Sequence, residues 1–179
     1  KTVKELVVFQ RSAQYSVPAR NHPVAPEFLE DIADNLDTYF DRVRKSATVF
    51  AFHEATKGAM EVSPEEREAV FEKAWADGGG FNFMFGTFND IATNPDSNAA
   101  ACDFIRRKIA QVVTDPVKRA IMTPTDIYAR RLLCDNHFYE AINQDNVRVL
   151  DVRKHPIVEF TEKGLRTEEG EVELDVGDA

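Results

Sequence analysis

The apolar positions of this chain change their spacing twice. Leu6-Val7-Val8-Phe9 is a short unbroken apolar run rich in β-branched residues, which predicts a buried strand in a parallel sheet. Pro18, Asn21, Pro23 and Pro26 then interrupt regular structure. From Glu27 to about Lys45 the apolar residues Phe28, Leu29, Ile32, Leu36, Tyr39, Phe40 and Val43 recur at helical spacing, with Asp and Glu opposite. Ser63-Pro64-Glu65-Glu66 predicts a second helix start. Ser63 can cap, Pro64 suits the first turn and Glu66 can complete a capping box. That helix carries Val70, Phe71, Ala74 and Trp75 inward and stops at Gly78. Phe81 to Ile91 reads as helical. Another helix is capped by Asp96 or Ser97 and runs to about Val113, with Ala101, Phe104, Ile105, Ile109 and Val112 on its inner face. After Tyr128 the pattern becomes strand-like: Val147–Leu150, Ile157–Phe160 and Glu171–Leu174, with turns at Gly164 and Gly170. One early strand, a block of helices and several late strands predict an α/β sheet interrupted by a helical insertion.

Composition narrows the function classes. The 179 residues carry a net charge of −9 with no basic face, which argues against nucleic-acid binding. No apolar run is long enough to cross a bilayer, and the first residues lack the pattern of a signal peptide. Thirteen Phe imply a substantial aromatic core, or a core plus a buried interface. Cys102 and Cys134 form no disulfide framework and read as reduced thiols of a cytoplasmic protein.

Two places can carry chemistry. Phe9-Gln10-Arg11 follows the first strand. In dinucleotide-binding folds, an arginine after the second strand can take the 2′-phosphate of NADP where an acid would take the ribose of NAD. From the spacing alone an ordinary surface arginine after a strand is the simpler reading, and the phosphate reading stays open beside it. In Tyr128-Ala129-Arg130-Arg131-Leu132-Leu133-Cys134-Asp135, two arginines adjoin an apolar run that reads as buried. A buried guanidinium needs an anionic partner, either Asp126 or Asp135 in a salt bridge or a cofactor. The remaining candidates are weaker. His53-Glu54 has no second histidine at zincin spacing, and the four histidines show no metal-ligand pattern. Gly78-Gly79-Gly80 lacks a following P-loop Lys and reads as a helix stop. Arg106-Arg107-Lys108 reads as a solvated helix face.

Three longer stretches carry a resemblance. Val8 to Asn21, running Val-Phe-Gln-Arg-Ser-Ala-Gln-Tyr-Ser-Val-Pro-Ala-Arg-Asn, resembles the segment after the second glycine-rich motif of Baeyer–Villiger monooxygenases of the cyclohexanone monooxygenase type. Gly78 to Ile91 looks like the helical insertion of that family. Tyr128–Asp135, His137–Glu140 and Asn143–Val147 resemble its next long motif. The order and spacing agree over nearly the whole chain.

The resemblance implies an α/β fold: a partial Rossmann-like NADP-binding domain interrupted by a helix-rich insertion. It assigns residues 1–25 and 129–179 to the NADP-binding domain and 26–128 to the insertion. It implies FAD and NADPH as cofactors, and a ketone and O2 as substrates. Ketones become esters or lactones through a C4a-peroxyflavin. Arg131 matches the family's catalytic arginine, which steadies negative charge on the oxidant. Arg11 matches the arginine on the 2′-phosphate of NADP. Arg130 matches a position that is usually lysine and faces the same phosphate. No metal is implied. Neither glycine-rich pyrophosphate loop and no Phe-x-Gly-x-x-x-His-x-x-x-Trp fingerprint occurs in these residues, so the FAD-binding portion must come from elsewhere in a parent enzyme. The 179 residues alone are therefore expected to be inactive. Two other readings are a helical interaction domain without catalysis and a related flavin monooxygenase acting on nitrogen or sulfur.

Overall fold

The computed structural model describes residues 3–47, 49, 54–130 and 133–173. The described residues are mixed α/β. In chain order they form β1 (Leu6–Gln10), β2 (Ser16–Pro18), α1 (Pro26–Asp34), α2 (Leu36–Lys45), α3 (Pro64–Asp77), α4 (Pro95–Val112), α5 (Pro116–Met122), β3 (Leu133–Asp135), α6 (Phe138–Ile142), β4 (Val147–Asp151), β5 (Ile157–Thr161), β6 (Gly164–Thr167) and β7 (Gly170–Glu173). They gather into two compact units. One comprises Lys1–Gln14, Ile109–Thr125 and Tyr139–Ala179, the other Tyr15–Lys108 and Asp126–Phe138.

In the first unit β1 pairs in parallel with β4, with Leu6 beside Val147 and Gln10 beside Asp151. The parallel direction agrees with the apolar run. The depth does not: Leu6 is exposed and the rest of β1 only half-buried. Lys118 on α5 donates its ammonium to the carbonyls of Ile142 (2.9 Å) and Gln144 (3.0 Å), tying that helix to the approach of β4. β5, β6 and β7 form an antiparallel meander whose middle strand, β6, was not expected. Four residues with an exposed Arg166 give too little alternation to read as a strand. Gly164 and Gly170 do lie at the turns, both at positive φ.

The second unit is built on aromatic rings. Phe71 of α3 lies 5.3 Å from Phe83, Phe88 and Phe104, and Phe83 lies 5.8 Å from Phe104. Helix α3 begins as expected, with the Ser63 hydroxyl accepting the Glu66 N–H at 3.2 Å. The other half of the capping box is not made: the Glu66 carboxylate faces Lys57 instead. Gly78 ends α3 at φ +81° and donates its N–H to Ala74, as a C-terminal glycine should.

Three expectations about helices need correction. The single helix over 27–45 is two, α1 and α2. At the break, the Asn35 amide donates to the backbone carbonyl and carboxylate of Asp31, a local alternative to the helical ladder. Neither helix has a buried residue. The helix expected over Phe81–Ile91 stops at Gly86 and is a π-helical turn, Asn82–Gly86. Helix α4 is capped two or three residues earlier than expected, by Asn94, whose Oδ1 accepts the Asp96 N–H at 3.0 Å. Its inner face holds Ala101, Phe104, Ile105 and Ile109, with Val113 rather than Val112 at its far end.

Candidate functional site

Arg11 belongs to the first unit and follows the carboxyl end of β1 directly. It is exposed, and among the described residues its guanidinium makes no hydrogen bond or ion pair. Arg130 belongs to the second unit. Its guanidinium donates to the Asp126 carboxylate at 3.0 Å, both side chains being more than half exposed. Of the partners open to it in the sequence, Arg130 has therefore taken Asp126. Arg131 lies outside the described residues, as do Leu132 and His53. The run after the arginines is not buried as expected, since Leu133 and Cys134 are exposed.

Several contacts in the second unit fix the chain on both sides of the arginine pair. Beyond it, β3 pairs in parallel with β2, Ser16 beside Leu133 and Pro18 beside Asp135. The buried Ser16 hydroxyl donates to Asp135 at 2.5 Å, and the other oxygen of that carboxylate accepts the Phe138 N–H. Asp135 is thus an anchor for the strand and not a partner of Arg130. Before the pair, the Tyr15 hydroxyl donates to the Asp126 carbonyl at 2.7 Å. Burial pushes the Tyr15 phenol up, and the neighbouring Cys102 thiol adds to the effect. Burial likewise raises the Tyr128 phenol well above its usual value.

The glycine triplet serves this scaffold. Gly79 donates its N–H to the Pro18 carbonyl at 3.0 Å, and Gly80 donates to the Cys134 thiol at 3.1 Å. A methyl group on Gly78 would fall 2.4 Å from Arg20, and one on Gly80 2.2 Å from the Cys134 sulfur. The triplet is a helix stop, as read, and also a close seat for β2 and β3. Arg106-Arg107-Lys108 is more than a solvated face. Arg107 reaches Glu68 at 2.6 Å and Lys108 reaches Glu72 at 2.6 Å, joining α4 to α3.

Sequence reasoning missed two polar residues here. Asn98 is buried on the inner face of α4 and bonds to the backbone of Tyr128. Its place at helical spacing with Ala101, Cys102 and Ile105 was the available signal, because a polar residue on an apolar stripe needs a specific partner. Asp90 accepts hydrogen bonds from the Ala59 N–H (2.9 Å), the Asn94 amide (3.1 Å) and the Ser97 hydroxyl (2.7 Å). Burial alone would push the Asp90 carboxyl up; these bonds outweigh it and hold the group below its ordinary value of 3.8. Its contribution to stability is therefore full at neutral pH and is lost as pH falls through the depressed folded pKa. Asp90→Asn should cost about 1–3 kcal/mol at pH 7. In urea unfolding, the gap to wild type should narrow on going to acid well below the ordinary carboxylate value; a gap that widened would contradict the assignment.

Among the described residues no three His, Cys, Asp or Glu side chains are grouped to hold a metal ion, and no helix is long and apolar enough to cross a membrane.

A comparison with protein-family profiles finds none that matches. Individual proteins do match. The chain is 53% identical to cyclohexanone 1,2-monooxygenase of Acinetobacter sp. over 174 residues, covering 97% of this chain and 32% of that protein. It is 51% identical to a Baeyer-Villiger monooxygenase of Pseudooceanicola batsensis, covering 97% of this chain and 32% of that protein. It is 45% identical to the phenazine N-monooxygenase PhzNO1 of Lysobacter antibioticus, covering 95% and 31%. Among solved structures, cyclohexanone monooxygenase from Rhodococcus sp. Phi1 bound to NADP+ superposes with a TM-score of 0.93 at 49% identity, over 96% of this chain and 33% of that one. These relatives are monooxygenases by name, and the likeness to them extends through both sequence and fold. Over nearly its whole length the chain matches a segment of Baeyer–Villiger monooxygenases of the cyclohexanone monooxygenase type, and it spans about a third of the length of the curated relatives it matches.

Proposed function

We propose that this chain is the part of an FAD- and NADPH-dependent Baeyer–Villiger monooxygenase that holds the cofactor's 2′-phosphate and carries the catalytic arginine. Its parent converts ketones to esters or lactones with O2. The observation that carries this reading is the likeness of nearly the whole chain, in sequence and fold, to a third of cyclohexanone monooxygenase. Residues 1–25 and 129–179 are segments of a partial Rossmann-like NADP-binding domain, and 26–128 its helix-rich insertion. The parallel pairing of β1 with β4, strands from the two ends of the sequence, supports that division.

The residues present fit an anionic phosphate. Arg11 offers a planar fork of donors at the carboxyl end of a parallel strand, and no described carboxylate neutralises it. Arg130 adds a second cation once its exposed pairing with Asp126 is exchanged for phosphate; such surface pairs are worth at most about 1 kcal/mol. Bound NADPH supplies hydride to the flavin, which activates oxygen. Arg131 holds a permanent positive charge where negative charge develops during oxygen transfer. No described residue is assigned to FAD. The cytoplasm is the assigned compartment, supported by two free cysteines among the described residues.

The 2′-phosphate assignment has a direct test. Arg11→Ala in the parent enzyme removes a charge-assisted contact worth roughly 1.5–3 kcal/mol. The KM for NADPH should rise about tenfold or more while that for NADH barely moves. Equal effects on both nucleotides would refute the assignment.

The test of the function itself is product identity. The full-length parent is given NADPH, O2 and cyclohexanone, with cofactor oxidation followed by absorbance and product by mass spectrometry. A lactone one oxygen atom heavier than the ketone is expected. A second reading, oxidation of a heteroatom, is favoured by the 45% identity to a phenazine N-monooxygenase. An aromatic N-oxide formed from a phenazine, with no ester from any of a panel of ketones, would select it.

A further inference from the structure

β1 and β4 run in parallel, so both leave their sheet at the same edge. Gln10 lies beside Asp151, and the Val152 N–H donates to the Gln10 carbonyl at 3.1 Å. Arg11 is the first residue beyond β1, and the chain beyond β4 turns through Val152, Arg153 and Lys154. Neighbouring strands lie about 4.8 Å apart. The pairing therefore brings Arg153 close to Arg11, although the two stand near opposite ends of the sequence. Both belong to the first unit.

Asp151 builds the turn that carries Arg153. Its carbonyl accepts the N–H groups of Lys154 (3.1 Å) and His155 (3.0 Å), and its Oδ1 accepts the Arg153 N–H at 3.1 Å. The same Oδ1 lies 3.7 Å from Arg153 Nε, too far for a hydrogen bond. It steers the stem of Arg153 without occupying the fork. No described residue hydrogen-bonds the terminal nitrogens of Arg153, and its side chain is 61% exposed. Arg11 is in the same state. The nearby carboxylates are engaged: Asp151 is buried in the turn, and Glu169 meets His155 Nε2 at 2.9 Å. Two exposed guanidiniums with unfilled donors at one sheet edge repel each other until an anion lies between them. A phosphate monoester has oxygens enough to accept from both. The carboxyl edge of parallel strands is also where open α/β sheets take nucleotides.

We propose that Arg153 is a second cation for the 2′-phosphate of NADPH, shared with Arg11, and that it helps to set the preference for NADPH over NADH. Arg153 binds and selects; it takes no part in the chemistry. This inference rests on the reading of Arg11 given above.

The experiment uses the flavin-loaded full-length parent. Wild type is compared with Arg153→Ala, Arg153→Glu, Arg11→Ala and Lys163→Ala. Lys163, in the turn between β5 and β6, controls for the loss of one positive charge from the same unit. Binding of adenosine 2′,5′-bisphosphate is measured by calorimetry, and KM is measured for NADPH and for NADH. Arg153→Ala should weaken the bisphosphate about tenfold and raise the KM for NADPH about as much. The KM for NADH and kcat at saturating NADPH should stay within about twofold of wild type, as for a lost surface contact. Arg153→Glu should weaken the bisphosphate further, and Lys163→Ala should leave all these values in place. If Arg153→Ala does not fold, Arg153→Gln keeps the stem and the backbone donor and should show the same selectivity. Equal rises in KM for both nucleotides would mean that Arg153 only supports the turn, and would overturn the proposal. So would a Lys163→Ala loss as large as that of Arg153→Ala, which would reflect net charge alone. If Arg11→Ala weakens the bisphosphate and Arg153→Ala does not, the shared site falls while the reading of Arg11 stands. If neither variant weakens it, the 2′-phosphate reading of Arg11 falls and this inference with it.

Discussion

Arg131→Ala in the full-length parent should abolish ester formation while the protein keeps its flavin. A guanidinium is charged at every working pH, so it can oppose negative charge on oxygen without gaining or losing a proton. Removing one fixed group that stabilises developing negative charge costs about 10²–10³ in kcat in well-studied cases, and a full cation should cost no less. Ester measured by gas chromatography should therefore drop to background. Flavin absorbance of the purified protein should stay near wild type, because no residue of this segment is assigned to FAD. Arg131→Lys should recover little, since an ammonium offers a point charge in place of a planar fork. If the main effect of Arg131→Ala were loss of FAD, the residue would be structural and the catalytic assignment wrong.

Gly80→Ala should destabilise the second unit through a single added methyl group. The new carbon would sit 2.2 Å from the Cys134 sulfur, far inside contact distance, with a Val17 methyl at 3.4 Å. A cysteine side chain has no long stem to swing aside, so β3 must shift from the Gly80 backbone. Overpacking of this kind costs about 1–3 kcal/mol. The companion variant Cys134→Ala removes the obstructing atom and gives up one weak N–H···S bond. The double variant should therefore melt higher than Gly80→Ala alone, with a coupling of about 1 kcal/mol or more. Additive losses in thermal melts would mean that the clash is relieved by some other movement.

What could be read in advance was local. Ser63-Pro64 opens α3 and Gly78 closes it because cap chemistry acts within one turn. β1, β4 and β5 are where alternation or an apolar run placed them. β2 and β3 escaped notice because they are three residues each, one contains Pro18, and their support is parallel pairing between distant segments. The break at Asn35 depends on a side chain turning back on Asp31, a choice between two local hydrogen-bond patterns that hydrophobic spacing does not encode. For the site, residue types and motif order pointed to Arg11, Arg130 and Arg131. Their supports were not legible. Asp126, Asp135 and Asn98 are ordinary polar residues until tertiary contacts bring carboxylates and amides against particular backbone atoms.

The pairing of β1 with β4 bears on the order in which the chain can fold. During synthesis β1 emerges ahead of the helices, and β4 arrives only after them. Until then β1 cannot make its pairing with β4. The ring cluster of Phe71, Phe83, Phe88 and Phe104 is complete long before Val147 leaves the ribosome. Its contacts close short loops, which cost less entropy than the long loop β1 must close. Synthesis from the N-terminus thus favours condensation of the aromatic helices before β1 meets β4, and a ribosome-stalled chain ending before β4 should already protect α3 and α4 from protease.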